Sequence, residues 1–409
     1  MAQVADGAPA GELHEDTGRA RFAAVVVIGH ALKHLLTSGV PSVLMPEIKQ
    51  DLALSGTQVG SLGSVQQASG WMATMSAGYL GDRFTNKTGV MLAISLGIVG
   101  GSLFLIGASQ SYLMLLFGML CLGFGPSMFH PPAVGALSRR FADRRAFAIS
   151  LHGTGGSVGE VLGPLVAAGL LTFLYWRDVL RVEFIPAIIG AVLLFTLLKD
   201  RGGRGHIAES SFREYLSSFF ALLRHRTLSL ILLVTACRSV GQATTTIFLP
   251  IYLREDLAYS PALVGVYISM SQLAGIGSQP LMGFLSDRFG HKAVILPALT
   301  SFAVLLALVP LAEGKVALAI VILALGFFLF SMQSILTSAA VEQAGNEVHS
   351  TVVSLIYASS FVGSLAPTVA GVLADSYGLK STFYLSAILA ALAVVILAMT
   401  NMPKRVRPA

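Results

Sequence analysis

The chain has 409 residues, 54% of them hydrophobic and 12% charged, against roughly 25% charged in an ordinary soluble domain. One soluble core could not enclose that much apolar surface, and the apolar residues come in long continuous blocks without two-residue alternation, which excludes a β-barrel as well. The formal net charge of +6 therefore has to be read through the positions of the basic residues rather than as a nucleic-acid signal.

Residues 1–20 are polar and partly acidic (Glu12, Glu15, Asp16) and lack the cationic start and short apolar core of a signal peptide. They read as a disordered cytoplasmic tail. Twelve apolar blocks follow, each near the roughly 20 residues that cross a bilayer as a helix: 22–45, 57–80, 88–108, 112–137, 146–174, 179–198, 227–251, 261–285, 293–312, 316–340, 350–374 and 380–401. The expected fold is an all-α membrane protein of 12 transmembrane helices. Loops and tails on the side of the termini hold 19 Lys and Arg, those on the other side six, and Lys33 and Arg238 lie inside spans. By the positive-inside rule both termini are expected in the cytoplasm, with the chain embedded in a bilayer and no nucleic-acid partner. Cys121 and Cys237, each within an apolar block, offer no metal spacing and no disulfide framework.

The expected domains are the tail 1–20, a six-helix bundle 21–198, a cytoplasmic linker 199–226, a second six-helix bundle 227–402 and a tail 403–409. The linker opens on Arg201-Gly202-Gly203-Arg204-Gly205 and continues with Phe212, Tyr215, Leu216, Phe219, Phe220 and Leu223 at helical spacing, which predicts an interfacial amphipathic helix.

The two bundles are sequence repeats offset by 205 residues. Asp51-Leu52-Ala53 matches Asp256-Leu257-Ala258, Ser55 matches Ser260, Val59-Gly60 matches Val264-Gly265, Gln67 matches Gln272 and Gly70 matches Gly275. At the same offset, Gly78-Tyr79-Leu80-Gly81-Asp82-Arg83-Phe84-Thr85-Asn86-Lys87 answers to Gly283-Phe284-Leu285-Ser286-Asp287-Arg288-Phe289-Gly290-His291-Lys292, after the second and eighth spans. Parallel repeats of this kind place a transport site between the halves.

Two such Asp-Arg loops at half-chain spacing, in a twelve-span chain, resemble the major facilitator superfamily over nearly all of residues 20–402. Phe129-His130-Pro131 in span 4, with Gly155-Gly156 and Gly159-x-x-x-Gly163-Pro164 in span 5, is similar to the fosmidomycin-resistance group. Gly159, Gly163 and Pro164 also resemble the antiporter motif of drug–proton exchangers. The resemblance implies a transporter working by rocker-switch alternating access, with Asp82, Arg83, Asp287, Arg288, Gly159, Gly163 and Pro164 as conformational gating residues. It further implies a bacterial inner-membrane location and proton-coupled efflux, without enzymatic activity.

Charges inside spans are costly, at least ~2.5–3.5 kcal/mol each at mid-helix. Span 1 carries His30, Lys33, His34 and Thr37 on one helical stripe, and span 7 repeats the spacing with Arg238, Gln242 and Thr245. Lys33 and Arg238 are themselves 205 residues apart, and each lies 12 residues, ~18 Å of helix, beyond a basic residue at the start of its span. In the family these two spans face one another across the central cavity. Lys33, Arg238, His30, His34, Gln67, Gln242 and Gln272 are therefore candidate substrate-binding residues, and the cations predict a small anionic substrate. The alternative is that neighbouring acids or carbonyls neutralise them. Glu160 reads as the one acid deep in a span and, with His152 and His130, is the candidate proton-coupling group; it equally suits pairing with Lys33 or Arg238. Zinc at His30, His130 and His152 lacks a completing carboxylate or thiol, so no metal and no cofactor is expected, with a proton gradient as driving force.

The leading expectation is proton-coupled antiport of a small anionic organic compound or antimicrobial, by a monomer. The alternatives are an uptake or exchange permease for an organic anion or organophosphate, and, in another class, a lipid-handling or receptor-like membrane protein.

Overall fold

The computed structural model describes residues 10–141, 143–198, 224–344, 359 and 361–401, with side chains described for these except at 10–17, 75, 78, 79, 81–83, 146, 341, 343 and 344. Among the described residues every regular element is a helix. Of the expected linker 199–226, residues 199–223 lie outside them, as do residues 350–358 and 360 of the eleventh expected span and the C-terminal tail 403–409.

The first span is longer and less regular than its apolar run suggests. Helix α1 covers Ala10–Gly39, so it begins inside the segment expected to be a disordered tail. It passes through a π-helical turn, Val40–Leu44, into α2, Met45–Asp51. Pro41 sits at the start of that turn, where its missing N–H interrupts the regular ladder. Helix α3 spans Gly56–Arg83 and α4 Thr88–Gly107. The single block expected at 112–137 divides into α5, Tyr112–Ser127, and α6, His130–Arg140. Pro131 and Pro132 cannot donate to the preceding turn, so the α5 ladder ends before them and His130 stands at the start of the new helix.

Helices α7, Arg145–Leu170, and α8, Trp176–Leu198, complete the first half. The second comprises α9, Arg226–Glu255, α10, Pro261–Phe289, α11, His291–Leu308, α12, Lys315–Ala344, α13, Ala366–Tyr377, and α14, Lys380–Met399.

The matched Asp-Leu-Ala-x-Ser segments do the same structural work in each half. Ala53 and Ala258 take positive φ, 48° and 52°, and so end the preceding helix. Two residues later Ser55 and Ser260 cap the next, accepting from Gln58 N at 3.1 Å and Leu263 N at 3.3 Å.

Helix pairing repeats as well. In the first half α3 packs on α5 and α4 on α8; in the second α10 packs on α12 and α11 on α14. The halves meet through α3 against α13 and α10 against α7. Both contacts need glycine. A Cβ at Gly60 would stand 2.1 Å from the Pro367 carbonyl oxygen, and one at Gly265 would stand 2.9 Å from that of Pro164.

Eight of the described segments are long and apolar enough to cross a membrane. Helices α3, α7 and α10 are not among them, although they hold 28, 26 and 29 residues. Their Gly, Ser, Thr and Gln lower the hydropathy, and these are the helices that press on the opposite half. Small and polar residues are what close helix contact inside a bilayer selects.

Candidate functional site

The packing of α1 on α7 assembles the first half of the site. Four glycines of α7 face α1. An added Cβ would lie 2.7 Å from the Val27 carbonyl oxygen at Gly155, 2.4 Å from the His30 ring at Gly156, 2.1 Å from the Ala31 carbonyl oxygen at Gly159 and 2.0 Å from Ser38 Oγ at Gly163. The side chains of α1 therefore lie directly on the α7 backbone, and His30 and His34 meet His152 and Glu160.

His30 Nδ1 donates to the His152 carbonyl oxygen at 2.8 Å, and the two rings stack with centroids 3.8 Å apart. His34 Nε2 is 3.1 Å from His30 Nε2, and its Nδ1 is 3.2 Å from Glu160 Oε1. Lys33 Nζ is 2.9 Å from His130 Nε2 and lies over the Phe129 ring at 5.8 Å. The His130 and His30 centroids are 4.6 Å apart. Four histidines, a lysine and a glutamate from α1, α6 and α7 thus form one contiguous cluster, in which His30, Lys33 and His152 are buried. Both ring nitrogens of His152 are without a hydrogen-bond partner among the described residues.

Arg238 forms the counterpart on α9. Its Nη1 donates to the Leu329 carbonyl oxygen at 3.1 Å, and its Nη2 donates to Gln242 Oε1 at 2.8 Å and Gln333 Oε1 at 2.6 Å. These partners are neutral, and the buried Nε has none among the described residues. Lys33 and Arg238 are each 1% exposed. Among the described residues neither forms an ion pair with a carboxylate, and no hydrogen bond joins one to the other. Glu160, which the sequence allowed to pair with either, is bound to His34.

The remaining expected site residues are more dispersed. Gln272 has a buried Oε1 without a partner, and Gln67, half-buried on α3, makes no hydrogen bond with either cluster among the described residues. The side chains of Asp82 and Arg83 lie outside those described. Arg288 stacks on its neighbour Phe289 at 5.4 Å. In this second loop the last two residues of the motif fasten helices together. His291 Nε2 meets Glu342 Oε2 at 2.7 Å, and Lys292 Nζ donates to the Ala398 and Thr400 carbonyl oxygens at 2.8 and 2.7 Å, at the C-terminal end of α14. Those contacts stay within the second half.

Two features went unread in the sequence. Glu183 on α8 is 2% exposed, and neither carboxyl oxygen has a hydrogen-bond partner among the described residues. Glu160 is therefore not the only acid deep in a span, and an acid within the apolar run 179–198 was the available signal. The second feature is a polar seal between the halves at the α2/α9 end. Lys49 Nζ binds Glu255 Oε1 at 2.7 Å, and Arg254 Nε binds Glu47 Oε1 at 2.5 Å. Asp375 Oδ1 accepts from Gly56 N at 2.6 Å, and its Oδ2 accepts from Thr57 N at 2.9 Å. Further in, Thr368 Oγ1 donates to Ser64 Oγ at 2.8 Å and Ser269 Oγ to the Val161 carbonyl oxygen at 2.7 Å.

This arrangement of repeats and interfaces agrees with comparison to known proteins. The family model described as Major Facilitator Superfamily matches residues 28–366 and 231–409. The chain belongs to the major facilitator superfamily. It is thus a membrane transporter rather than an enzyme, with a small molecule as cargo. It is 24% identical to the uncharacterized MFS-type transporter YfnC of Bacillus subtilis (strain 168), over 92% of this chain and 93% of that one. It is 21% identical to the fosmidomycin resistance protein of Escherichia coli (strain K12), over 95% and 96%. Among solved structures, the nucleoside transporter NupG superposes with a TM-score of 0.76 at 15% identity, covering 93% of this chain and 98% of that one. A bacterial homologue of the human lysosomal transporter Spinster, in an inward-facing and occupied conformation, gives 0.75 at 17% identity, over 96% and 99%. The facilitator fold is common to these structures.

Proposed function

We propose that this transporter carries a small anionic organic compound by rocker-switch alternating access, coupled to protons, across a bacterial inner membrane. Twelve spans, with both termini in the cytoplasm, complete the reading. The observation that carries it is the pair of buried cations, Lys33 and Arg238, whose described partners are neutral. A fixed positive charge in a low-dielectric interior calls for a counter-charge. An anion entering between the halves supplies one to both, and the Arg238 fork suits phosphate, phosphonate or carboxylate oxygens. With the seal at the α2/α9 end formed, access is from the side of the termini. The protons move through the chain Glu160–His34–His30, whose successive members lie within 3.2 Å of each other.

Efflux in exchange for protons is supported by the glycines of α7 and by the relative named for fosmidomycin resistance. The charge geometry favours a second reading, in which proton and anion travel together as in uptake. A proton added to His30 or His34 brings positive charge beside Lys33 and strengthens the attraction for an anion.

The test is proton flux in proteoliposomes on adding an alkyl phosphonate, an organic phosphate monoester or a carboxylate, with wild type beside Lys33→Ala and Arg238→Ala. Anion transport undiminished in both variants would sink the cationic site. Acidification of the compartment the anion leaves supports antiport, acidification of the one it enters supports cotransport, and anion flux without a pH change refutes proton coupling.

A further inference from the structure

The cluster on α1 brings two ring nitrogens, His30 Nε2 and His34 Nε2, to 3.1 Å from each other. His30 Nδ1 lies 2.8 Å from the carbonyl oxygen of His152. A carbonyl only accepts, so the proton of neutral His30 is on Nδ1 and the lone pair on Nε2. His34 Nδ1 lies 3.2 Å from Glu160 Oε1. Where Glu160 is ionised it too only accepts, which places the His34 proton on Nδ1 and its lone pair on Nε2 as well. Those two Nε2 atoms are 3.1 Å apart. With both rings neutral and Glu160 ionised this is an acceptor facing an acceptor, and a cation between them, a proton or a metal ion, makes the contact favourable. His130 adds a third ring, and one ligand nitrogen from each of His30, His34 and His130 falls within 4.8 Å of the others.

We propose that His30, His34 and His130 form a binding site for one divalent transition-metal ion of the Zn²⁺, Co²⁺ or Ni²⁺ class. Neutral imidazoles are the donors such ions prefer, and three of them leave a coordination position open. Two nitrogens bound at about 2.0–2.1 Å in tetrahedral geometry stand roughly 3.3–3.4 Å apart, close to the 3.1 Å separation of the His30 and His34 nitrogens. The outer partners fit too, because metal-bound histidines are oriented by a backbone carbonyl or a carboxylate on the far ring nitrogen. Here His152 supplies the one and Glu160 the other. Magnesium and calcium, which take oxygen ligands, are excluded by the donor set.

Lys33 opposes the metal. Its Nζ is 2.9 Å from His130 Nε2, so its ammonium both occupies that nitrogen and repels a dication. A metal ligated through His130 Nε2 displaces Lys33 from it, and a carrier so loaded loses part of the positive site on which the anion reading rests. The metal site itself needs only α1, α6 and α7, and it stands whether or not the cargo is an anion.

The experiment uses the full chain purified in detergent without a polyhistidine tag. Co²⁺ is titrated by visible absorption and Zn²⁺ by calorimetry, with no organic anion present. One equivalent of Co²⁺ is expected to give the intense bands of tetrahedral coordination. His34→Gln and His130→Gln are each expected to weaken binding at least ~10-fold, and Glu160→Gln by about 10–100-fold as an outer partner. Lys33→Met keeps all three ligands and is expected to bind more tightly than wild type, which gives a reading even where a histidine variant fails to fold. Affinity unchanged by both His34→Gln and His130→Gln, or no Zn²⁺ binding stronger than Mg²⁺ binding in wild type and Lys33→Met alike, would overturn the site. The second result would assign a proton, not a metal, to the contact between His30 and His34.

Discussion

Lys49 and Arg254 hold the same place in the two halves, 205 residues apart, and each forms an ion pair with an acid of the opposite half. Lys49 meets Glu255 and Arg254 meets Glu47, with every partner between 17% and 30% exposed. The two pairs cross the mouth of the molecule reciprocally, at the end where α2 meets α9. Ser64 and Ser269, also 205 apart, each make a hydrogen bond across the same interface further in. In rocker-switch transport these contacts have to break when the halves open on this side.

The first prediction concerns that seal. Partly exposed ion pairs are worth ~0.2–1 kcal/mol each, so losing one shifts the balance between closed and open mouths by at most about fivefold. Lys49→Glu adds repulsion from Glu255 and should open the mouth further. The exchanged pair, Lys49→Glu with Glu255→Lys, should return the balance towards wild type. Distances between spin labels on the α2 and α9 ends measure it. An unchanged distribution in Lys49→Glu would show that the apolar and glycine contacts hold the mouth without the charges.

The repeat was the part of this fold most legible in the sequence. The 205-residue register places Gly60 on Gly265 and Lys33 on Arg238, and both pairs occupy equivalent positions in the structure. The individual partners were less legible, because they depend on how each helix is rotated about its axis. Glu160 follows Gly159 on α7, and the close approach of α1 at Gly159 and Gly163 sets it against His34. Lys33 and Arg238 were expected to face one another across the cavity because the resemblance places spans 1 and 7 opposite each other and the two residues lie at matching depth. In the structure each makes its hydrogen bonds within its own half, Lys33 to His130 and Arg238 to α12, and those neighbours could not be read from depth alone. The division of α5 from α6 was foreshadowed by Pro131-Pro132, whereas nothing in residues 10–20 marked them as helical.

The glycines of α7 yield a graded test of packing. At Gly159 a Cβ meets backbone, the Ala31 carbonyl oxygen at 2.1 Å, so Gly159→Ala has to separate α1 from α7. Overpacking of this kind costs typically 1–3 kcal/mol, and the variant should melt several degrees lower and lose transport. Gly156→Ala meets the His30 ring at 2.4 Å, which can move, so this variant should fold nearly normally yet transport poorly. On α4, away from this contact, a Cβ at Gly97 meets nothing within 4 Å, and Gly97→Ala, the control, should be neutral in both respects. Thermal unfolding beside transport rate separates the three, and a normally active Gly156→Ala would remove His30 from the working site.

Arg238 and Gln333 allow charge to be separated from shape. Arg238→Lys keeps the cation but loses the fork that reaches Leu329, Gln242 and Gln333 together. Charge-assisted hydrogen bonds contribute ~1.5–3 kcal/mol, so anion affinity should fall about tenfold or more. Gln333→Glu leaves Arg238 intact and supplies the carboxylate that the described neighbourhood lacks. An internal ion pair then competes with the substrate, and affinity should fall at least as far. Equilibrium binding of a labelled anion to the purified carrier measures both, and wild-type affinity in Gln333→Glu would refute the idea that Arg238 needs its counter-charge from the cargo.

Glu183 tests whether an orphaned acid is a structural cost or a working part. It is buried on α8 with neither oxygen hydrogen-bonded among the described residues, and a buried polar group left in that state costs ~1–3 kcal/mol or more. Leucine has a similar volume and no polar atoms. If Glu183 has no role in transport, Glu183→Leu should raise the melting temperature by a few degrees and leave the transport rate unchanged. If it carries a proton during the cycle, Glu183→Leu should still be more stable, but substrate-driven proton flux should be lost, and Glu183→Gln should fail to restore it. The cluster around His30 and Glu160 would then be one of two proton stations in the first half. The stability gain belongs to both cases, so only the flux measurement distinguishes them, and a fall in melting temperature would show that the carboxyl is satisfied by a partner lying outside the described residues.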